Sequence, residues 1–488
     1  MGAIKMSRLI LLAIGLLLIP IDSQGAEQAE ASGKKILLAG AATSNVTPQL
    51  GLPVIGGFKP FPATHVHDEL FARCIVLDDG SQRIAVVIVD ILGIPREVTD
   101  LARKQIQKAT GIKPSHVLIA ATHTHSAVTP RGPRGVFWPD EISDHSKFVA
   151  RRIADGVQRA VNQLEPAQIG WGRTTLPDQV FNRRWYCNDS GVTANPFGGV
   201  DQVRMNPPRN HPSLDRPAGP TDPEIRFLSI QSTEGRPIAV LSNYSLHYVG
   251  GVSRGHISAD YYGYFARYLE QKIGAEQIEP AFVATMSNGT SGDINNINFQ
   301  PKPGGKRYAP YEKMQEVADQ AATKVAEAYQ AVKYKPWVPV GAMQTDLVLK
   351  LRQPSEEMLK HLREVVKLPA DKFQSHKQEK VYAERIFKLA DAPASVKISL
   401  QTLKIGETGI AALPFETFAE TGLEIKRESP FKNTFTIELA NGWYGYLPTP
   451  RQHRLGGYET WLGTNWVEIE ASDKITAQLL RMFESLAR

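Results

Sequence analysis

Two histidines, His123 and His125, stand one residue apart in the stretch H-V-L-I-A-A-T-H-T-H-S, residues 116–126. On an extended strand residues i and i+2 face the same way, so both imidazoles look into one cavity from a strand's end. One imidazole then serves to bind a metal while its neighbour moves a proton, which is what a hydrolytic site needs. The plain alternative is a pair of polar histidines on a surface strand end. A third histidine, His247, sits in L-H-Y-V-G-G, where another apolar run opens into glycines. Residues 287–296 read S-N-G-T-S-G-D-I-N-N. So dense a run of small polar residues is either an ordinary loop or a nest of backbone N–H groups around a polar ligand. With two strand-terminal histidine sites already in view, the nest is the preferred reading.

The elements that must position these residues alternate between strand and helix. Residues 36–42, 70–77 and 84–90 read as strands, the last two as a hairpin turning at Asp78-Asp79-Gly80. The run V-V-I-V within 84–90 suits a strand buried on both faces. Residues 96–110 have helical period and stop at Gly111. The histidine strand, 117–121, follows. Strand, helix and strand in that order imply a parallel pair with a right-handed crossover. The ligand site of such a sheet lies beyond the strands' carboxyl ends, where His123 and His125 fall and where Asp90 should reach. Further strands are expected at 224–230, 237–245, 281–286, 338–351, 395–405, 410–413 and 434–439. Helices are expected at 143–164, 260–272, 311–332 and 474–486, with another running from Pro414-Phe415-Glu416 to Arg427. The fold class is therefore α/β: mixed sheets flanked by helices, with the metal site at the carboxyl ends of strands. Residues 127–141 carry Phe137 and Trp138 and read as a rim or lid. A Pro-bounded insertion holds two charged amphipathic helices, 356–366 and 376–389, whose His361 and His376 are expected to be solvated. No internal repeat or Pro/Ser linker divides the chain.

A net charge of +6 over 488 residues is too mild a bias to argue for nucleic acid. It allows at most peripheral contact with an anionic membrane surface. Cys74 and Cys187 are the only cysteines, so there is no disulfide framework and no C-x-x-C metal knuckle; two free, buried thiols are expected. Residues 1–25 begin with Lys5 and Arg8, continue as an apolar run from Leu9 to Ile19, and reach small residues near Gly25. That is the pattern of a cleaved export leader, the run being shorter than the roughly 20 residues a spanning helix needs.

Six short patterns occur in order: A-T-H-T-H-S (121–126), N-R (182–183), S-L-H (245–247), S-N-x-x-x-G-D (287–293), P-F-E (414–416) and G-Y-x-x-T (445–449), after Thr47-Pro48. Together they resemble the catalytic domain of the neutral ceramidases, zinc amidases of ceramide, over residues 36–470. The resemblance implies Zn²⁺ ligands at His123, His247, Glu416 and Tyr446, with His125 as a proton carrier that does not ligate. It implies an arginine at Arg183 that contacts the substrate carbonyl or its oxyanion, and a second tyrosine at Tyr458 that assists. Two departures stand out. The family's serine, two residues beyond its Gly-Asp pair, corresponds here to Asn295, and the family's C-terminal immunoglobulin-like domain has no counterpart after the last pattern. The catalytic domain is taken as residues 34–488. The expected function is hydrolysis of an N-acyl amide, of a lipid or a smaller molecule, by metal-activated water, Asn295 donating a hydrogen bond to the oxyanion. Two alternatives stay open: a non-catalytic binder of a lipid or glycan that lost the serine, and a metal-dependent esterase or phosphoesterase on the same scaffold.

Overall fold

The computed structural model describes residues 35–57, 60–130, 142–302, 304 and 306–488. The leader-like residues 1–25, and Phe137 and Trp138 of the expected lid, lie outside them. Twelve principal strands and eight principal helices carry the architecture. The strands are β1 (Leu37–Asn45), β2 (Phe71–Asp78), β3 (Arg83–Val89), β4 (Val117–Ala121), β5 (Glu165–Thr175), β6 (Glu224–Ser232), β7 (Pro237–Tyr244), β8 (Val283–Asn288), β9 (Val340–Lys350), β10 (Ser395–Ile405), β11 (Thr408–Ala412) and β12 (Asn433–Ile437). The helices are α1 (Arg96–Thr110), α2 (Asp144–Asn162), α3 (Asp260–Lys272), α4 (Glu312–Tyr329), α5 (Glu356–Val365), α6 (Glu379–Phe387), α7 (Ala419–Glu428) and α8 (Ala471–Ala487).

Two mixed sheets form the centre. The larger runs β8-β7-β6-β5-β1-β2-β3-β4 and the smaller β9-β10-β11-β12. The expected parallel pair is present, β3 beside β4 with Val89 opposite Ala121. Its crossover helix α1 ends at Gly111, which takes the left-handed φ of 74° and returns its N–H to the Gln107 carbonyl. Alternation along the strands divides the side chains between two cores. Leu37, Ile75, Ile88 and Leu118 of the large sheet meet Leu403, Ile410 and Phe435 of the small one. On the other face Cys74, Val87 and Ile119 pack under α1 and α2, while Phe227, Val240 and Met286 pack under α3 and α4. Helices α7 and α8 cover the outer side of the small sheet. The layers therefore run helix, sheet, sheet, helix. Helix α2 lies close enough that a Cβ on Gly156 would sit 2.7 Å from the Cys74 sulfur, so a larger residue there would push the helix off the sheet. Cys74 and Cys187 are both buried and unpaired.

Hydrogen-bond order makes β4 and β7 run in opposite directions, yet both end at the site. Neighbouring strands rotate by roughly 20–25°, and over six steps that rotation swings the two edges toward each other. The edge strand β8 accordingly packs against β2, β3 and β4 across the curl. Ala120 of β4 also bridges Ala440, just beyond β12. The ends of β4, β7, β8, β11 and β12 thereby meet in one region.

Three sequence expectations are corrected here. Asp90 does not reach the site: it is fully buried and its carboxylate accepts from Arg73 at 2.5 Å and from the Phe71 N–H at 2.9 Å. His361 and His376 on the insertion are not solvated. Leu362, Ala383, Ile386 and Leu389 form a small core with Leu462, and this holds the charged helices against the body. His376 is consequently buried, and the His361 side chain, 17% exposed, lies 3.7 Å from the Glu379 carboxylate. Among the described residues no helix is long and apolar enough to cross a membrane.

Candidate metal and catalytic site

His123 does not continue β4 as an extended residue. Its φ is 75°, a left-handed conformation that costs a non-glycine residue of order 1–3 kcal/mol and persists only where the surroundings impose it. The turn, not strand alternation, brings the two rings edge to face with centres 4.8 Å apart. His247 arrives from β7 through Ser245-Leu246, and its ring lies 4.4 Å from that of His123. Glu416 follows β11 and pairs in a two-residue parallel bridge with Tyr446. Gly292 makes room for this bridge, since a Cβ there would lie 2.4 Å from the Glu416 carbonyl.

Each of the three imidazoles is anchored through Nδ1. The partners are the carbonyls of Leu92 at 2.7 Å for His123, Gly56 at 2.5 Å for His125 and Ser291 at 3.1 Å for His247. A carbonyl only accepts, so every Nδ1 keeps its proton and every Nε2 is left to face its neighbours. One ring nitrogen from each of the three lies within 4.8 Å of the others. His123 Nε2 is 3.1 Å from His247 Nε2 and 3.3 Å from His125 Nε2. Glu416 Oε2 stands 3.4 Å from His123 Nε2 and 3.8 Å from His247 Nε2; it is buried without a hydrogen-bond donor. Converging lone pairs at such distances repel unless a cation lies among them. A tetrahedral zinc site with bonds of about 2.0–2.1 Å has ligand-to-ligand edges of about 3.3–3.4 Å. The triangle of His123, His247 and Glu416, at 3.1, 3.4 and 3.8 Å, fits such an ion.

Local electrostatics agree with that donor set. Burial pushes the pKa of His247 and His125 well down, with His123 adding to the effect, so both are neutral. Burial works against the Glu416 charge, but His123, the nearby Tyr446 hydroxyl and Arg183 outweigh it and hold the carboxyl at about 2. Tyr446 is pushed well up, first by burial and then by Glu416. It becomes a tyrosinate only against a bound cation. Arg183 lies 5.4 Å from the centre of the Tyr446 ring. It donates to Glu459 at 3.0 Å and to the Gly292 carbonyl at 2.7 Å. Burial opposes the Arg183 charge, and Tyr446 and Glu459 more than restore it. Tyr458 meets Tyr446 edge to face at 5.8 Å; burial raises its pKa to about 12, which leaves it a neutral O–H donor.

His123, His125, His247, Glu416, Arg183, Tyr446 and Tyr458 thus line one cavity of about 500 Å³. Asn295 is not on that wall. Its Nδ2 donates to Asn206 Oδ1 at 2.7 Å and its Oδ1 accepts from the Ile297 N–H, so the amide expected to face an oxyanion is engaged with a neighbour that does line the cavity. Nor is the loop at 287–296 a nest around a ligand. The N–H groups of Gly289, Ser291 and Gly292 go to the Tyr244 carbonyl, Glu438 and the Thr417 carbonyl. The loop works from behind: the Ser291 carbonyl sets the His247 ring and the Gly292 carbonyl holds Arg183.

Sequence reasoning missed two carboxylates and an indole. Glu438, fully buried, accepts from the Ser291 hydroxyl at 2.7 Å and the Thr417 N–H at 2.7 Å, tying the His247 and Glu416 segments together. Glu459 joins Arg183 to Arg184. Trp443 donates to Glu416 Oε1 at 3.2 Å. An isolated acid within T-I-E-L carries no periodic signal. The adjacent pair Arg183-Arg184 was the one hint that an acid must lie between them.

The sequence model of the N-terminal region of neutral/alkaline non-lysosomal ceramidases matches residues 54–302. The chain belongs to that family. The match includes His123, His125, Arg183, His247 and Asn295 and ends before Glu416. Two solved structures share the fold. The neutral ceramidase from Pseudomonas aeruginosa superimposes with a TM-score of 0.69 at 17% identity, covering 93% of this chain and 75% of that one. A ceramidase described as complexed with C2 gives the same score and identity, covering 93% of this chain and 76% of the other. The ceramidase fold therefore extends well beyond the residues that the family's sequence model matches.

Proposed function

We propose that this ceramidase-family chain is an exported, zinc-dependent hydrolase of N-acyl amides. The observation that carries the proposal is the convergence of three Nδ1-anchored histidines and a hydrogen-bond-orphaned carboxylate oxygen on one point. His123, His247 and Glu416 would hold the ion, with Tyr446 joining as tyrosinate. The chemistry the ion supplies is Lewis acidity toward an acyl carbonyl and acidification of water to a pKa of about 7. His125, kept neutral by burial and fixed by Gly56, accepts a proton at Nε2 and passes it to the leaving amine nitrogen. Tyr458 donates to the acyl oxygen as charge develops there, and the Arg183 charge beneath Tyr446 favours the same oxyanion. Trp443 and Glu438 hold the ligands in place. The leader-like residues 1–25 support export, and the chain's match to the ceramidase family supports a lipid or small-molecule substrate.

The full chain, purified and analysed for metal, is expected to hold about one zinc per molecule and to release fatty acid from at least one N-acyl amide in detergent. Asn295→Ala should remain active, slowed by no more than the roughly 10²-fold that a lost oxyanion donor costs, because the asparagine amide binds Asn206. Hydrolysis of nitrophenyl esters or phosphates without any amide cleavage would move the assignment to an esterase or phosphoesterase. A wild type inert toward every substrate that Asn295→Ser switches on would make the natural protein a binder.

A further inference from the structure

Tyr248 follows His247 in the sequence and lines the same cavity, but it lays its ring on His125. The two rings are stacked, their centres 3.6 Å and their planes 16° apart, which is van der Waals contact across the imidazole face. Toward His247 the same ring is oblique, 5.5 Å between centres at 50°. Among the described residues no hydrogen bond to the Tyr248 hydroxyl holds the ring where it is. Its place is therefore set by packing. Burial raises the pKa of the phenol, with Arg183 opposing, so it is neutral and adds no charge beside the imidazoles.

The backbone is arranged around this contact. Gly250 has a left-handed φ of 77°, and a Cβ on it would lie 3.1 Å from Tyr248 Cε2, closer than ordinary packing allows. Asp260, fully buried, accepts from the Val249 N–H at 3.0 Å and the Gly250 N–H at 2.8 Å, which fixes the two residues after Tyr248. On the other partner, Gly56 comes so close that a Cβ there would lie 2.7 Å from the His125 Cβ, and its carbonyl takes the Nδ1 proton. One hydrogen bond at Nδ1 fixes a point of the imidazole but leaves the ring able to tilt about it. A flat ring packed on the face removes that freedom. Proton transfer needs the acceptor within about 2.6–3.2 Å of the proton's donor, and a misplacement of about 1 Å can cost roughly 10²-fold in rate.

Resting on the reading of His125 as the proton carrier of an amidase, we infer that Tyr248 is a positioning residue whose ring, packed on the imidazole face, keeps His125 Nε2 aimed at the reacting centre. It acts through His125, and neither the metal ligands nor its own hydroxyl carries the effect.

The test separates the ring from the hydroxyl in the full chain. Tyr248→Leu removes the flat face, and Tyr248→Phe restores it without the hydroxyl. Tyr248→Leu is expected to keep its zinc, and to keep its KM on the fastest of a panel of lauroyl amides, while kcat falls by about 10- to 100-fold. Tyr248→Phe should rescue kcat to within about three-fold of wild type, since the stacked face is retained. In a His125→Ala background the further change Tyr248→Leu should cost little, because the residue it acts through is gone. Gly250→Ala crowds the Tyr248 ring from its edge and should lower kcat in the same way, which serves if Tyr248→Leu does not fold. Crystal structures read the ring without turnover: His125 should keep one orientation in wild type and Tyr248→Phe, and be turned or split in Tyr248→Leu. No amide cleaved by wild type, with His125 turned in Tyr248→Leu, would sink the amidase reading and leave the positioning role standing. Full kcat in Tyr248→Leu with His125 unmoved would overturn the positioning role and leave the amidase. Equal losses in the Phe and Leu variants would overturn it in favour of a hydroxyl that touches substrate, and loss of zinc from Tyr248→Leu in favour of support for the metal ligands.

Discussion

His247→Ala and His123→Ala each purify folded, hold no zinc above background, and hydrolyse nothing: that is the largest effect expected of any single change in this protein. Each removes an imidazole whose Nε2 stands 3.1 Å from the other and whose Nδ1 is already fixed on a carbonyl. His125 Nε2, 3.3 Å from His123 Nε2, is the one imidazole left nearby, and its ring is held in place by the Gly56 carbonyl. Glu416→Ala should behave the same way, since its Oε2 closes the triangle at 3.4 and 3.8 Å. His361→Ala and His376→Ala provide the contrast. They alter the insertion and should retain the metal. Metal analysis with a melting curve for each variant decides the matter. Zinc retained in His247→Ala but lost in His361→Ala would show that the ion sits elsewhere.

The second large effect is on stability. Glu459 is fully buried, and its two oxygens accept from Arg183 at 3.0 Å and Arg184 at 2.7 Å. Arg184 is itself fully buried and spends its remaining donors on Gln452 and the Gly456 carbonyl. Glu459→Ala therefore leaves two guanidinium charges in the interior with no carboxylate between them. Breaking a buried pair in this way costs about 3–5 kcal/mol, a large share of the 5–15 kcal/mol that holds a typical domain folded. The urea midpoint should drop sharply. Any protein that still folds should be a poor catalyst, because Arg183 no longer sits squarely beneath Tyr446. An unchanged midpoint would mean that water reaches both arginines and that the pairing matters little.

How much of this could be read from the sequence depends on the kind of signal each residue leaves. The strand V-V-I-V, the helix that stops at Gly111 and the parallel β3–β4 pair follow from periodicity and local breakers, so they were visible. The histidines were visible as residues, but their meeting was expected from strand alternation and arises from a left-handed turn at His123. A non-glycine residue takes that conformation only under tertiary pressure, which leaves no local mark. The curl that joins β4 to β7 is likewise a sum of small twists over the whole sheet. The two insertion helices follow from their amphipathic period, but the burial of His376 does not, because the few apolar residues that anchor them, such as Leu362 and Ile386, find their partner only at Leu462. Asn295 was read by alignment to a serine, whereas its direction is set by Asn206, far away in sequence.

The spacing of the proposed donors along the chain has a consequence for biogenesis. His123 and His247 are made early, but Glu416 and Tyr446 emerge only when most of the polypeptide has been synthesised. Until then a nascent or translocating chain offers two imidazoles and no closed coordination set. If the chain is exported as proposed, it would reach the far side of the membrane with that set still open and load its ion where folding finishes. The ion would then tie together four segments that are remote in sequence and, binding only the native state, lower its free energy in proportion to the logarithm of local zinc. The compartment that completes the fold would thereby also choose the metal.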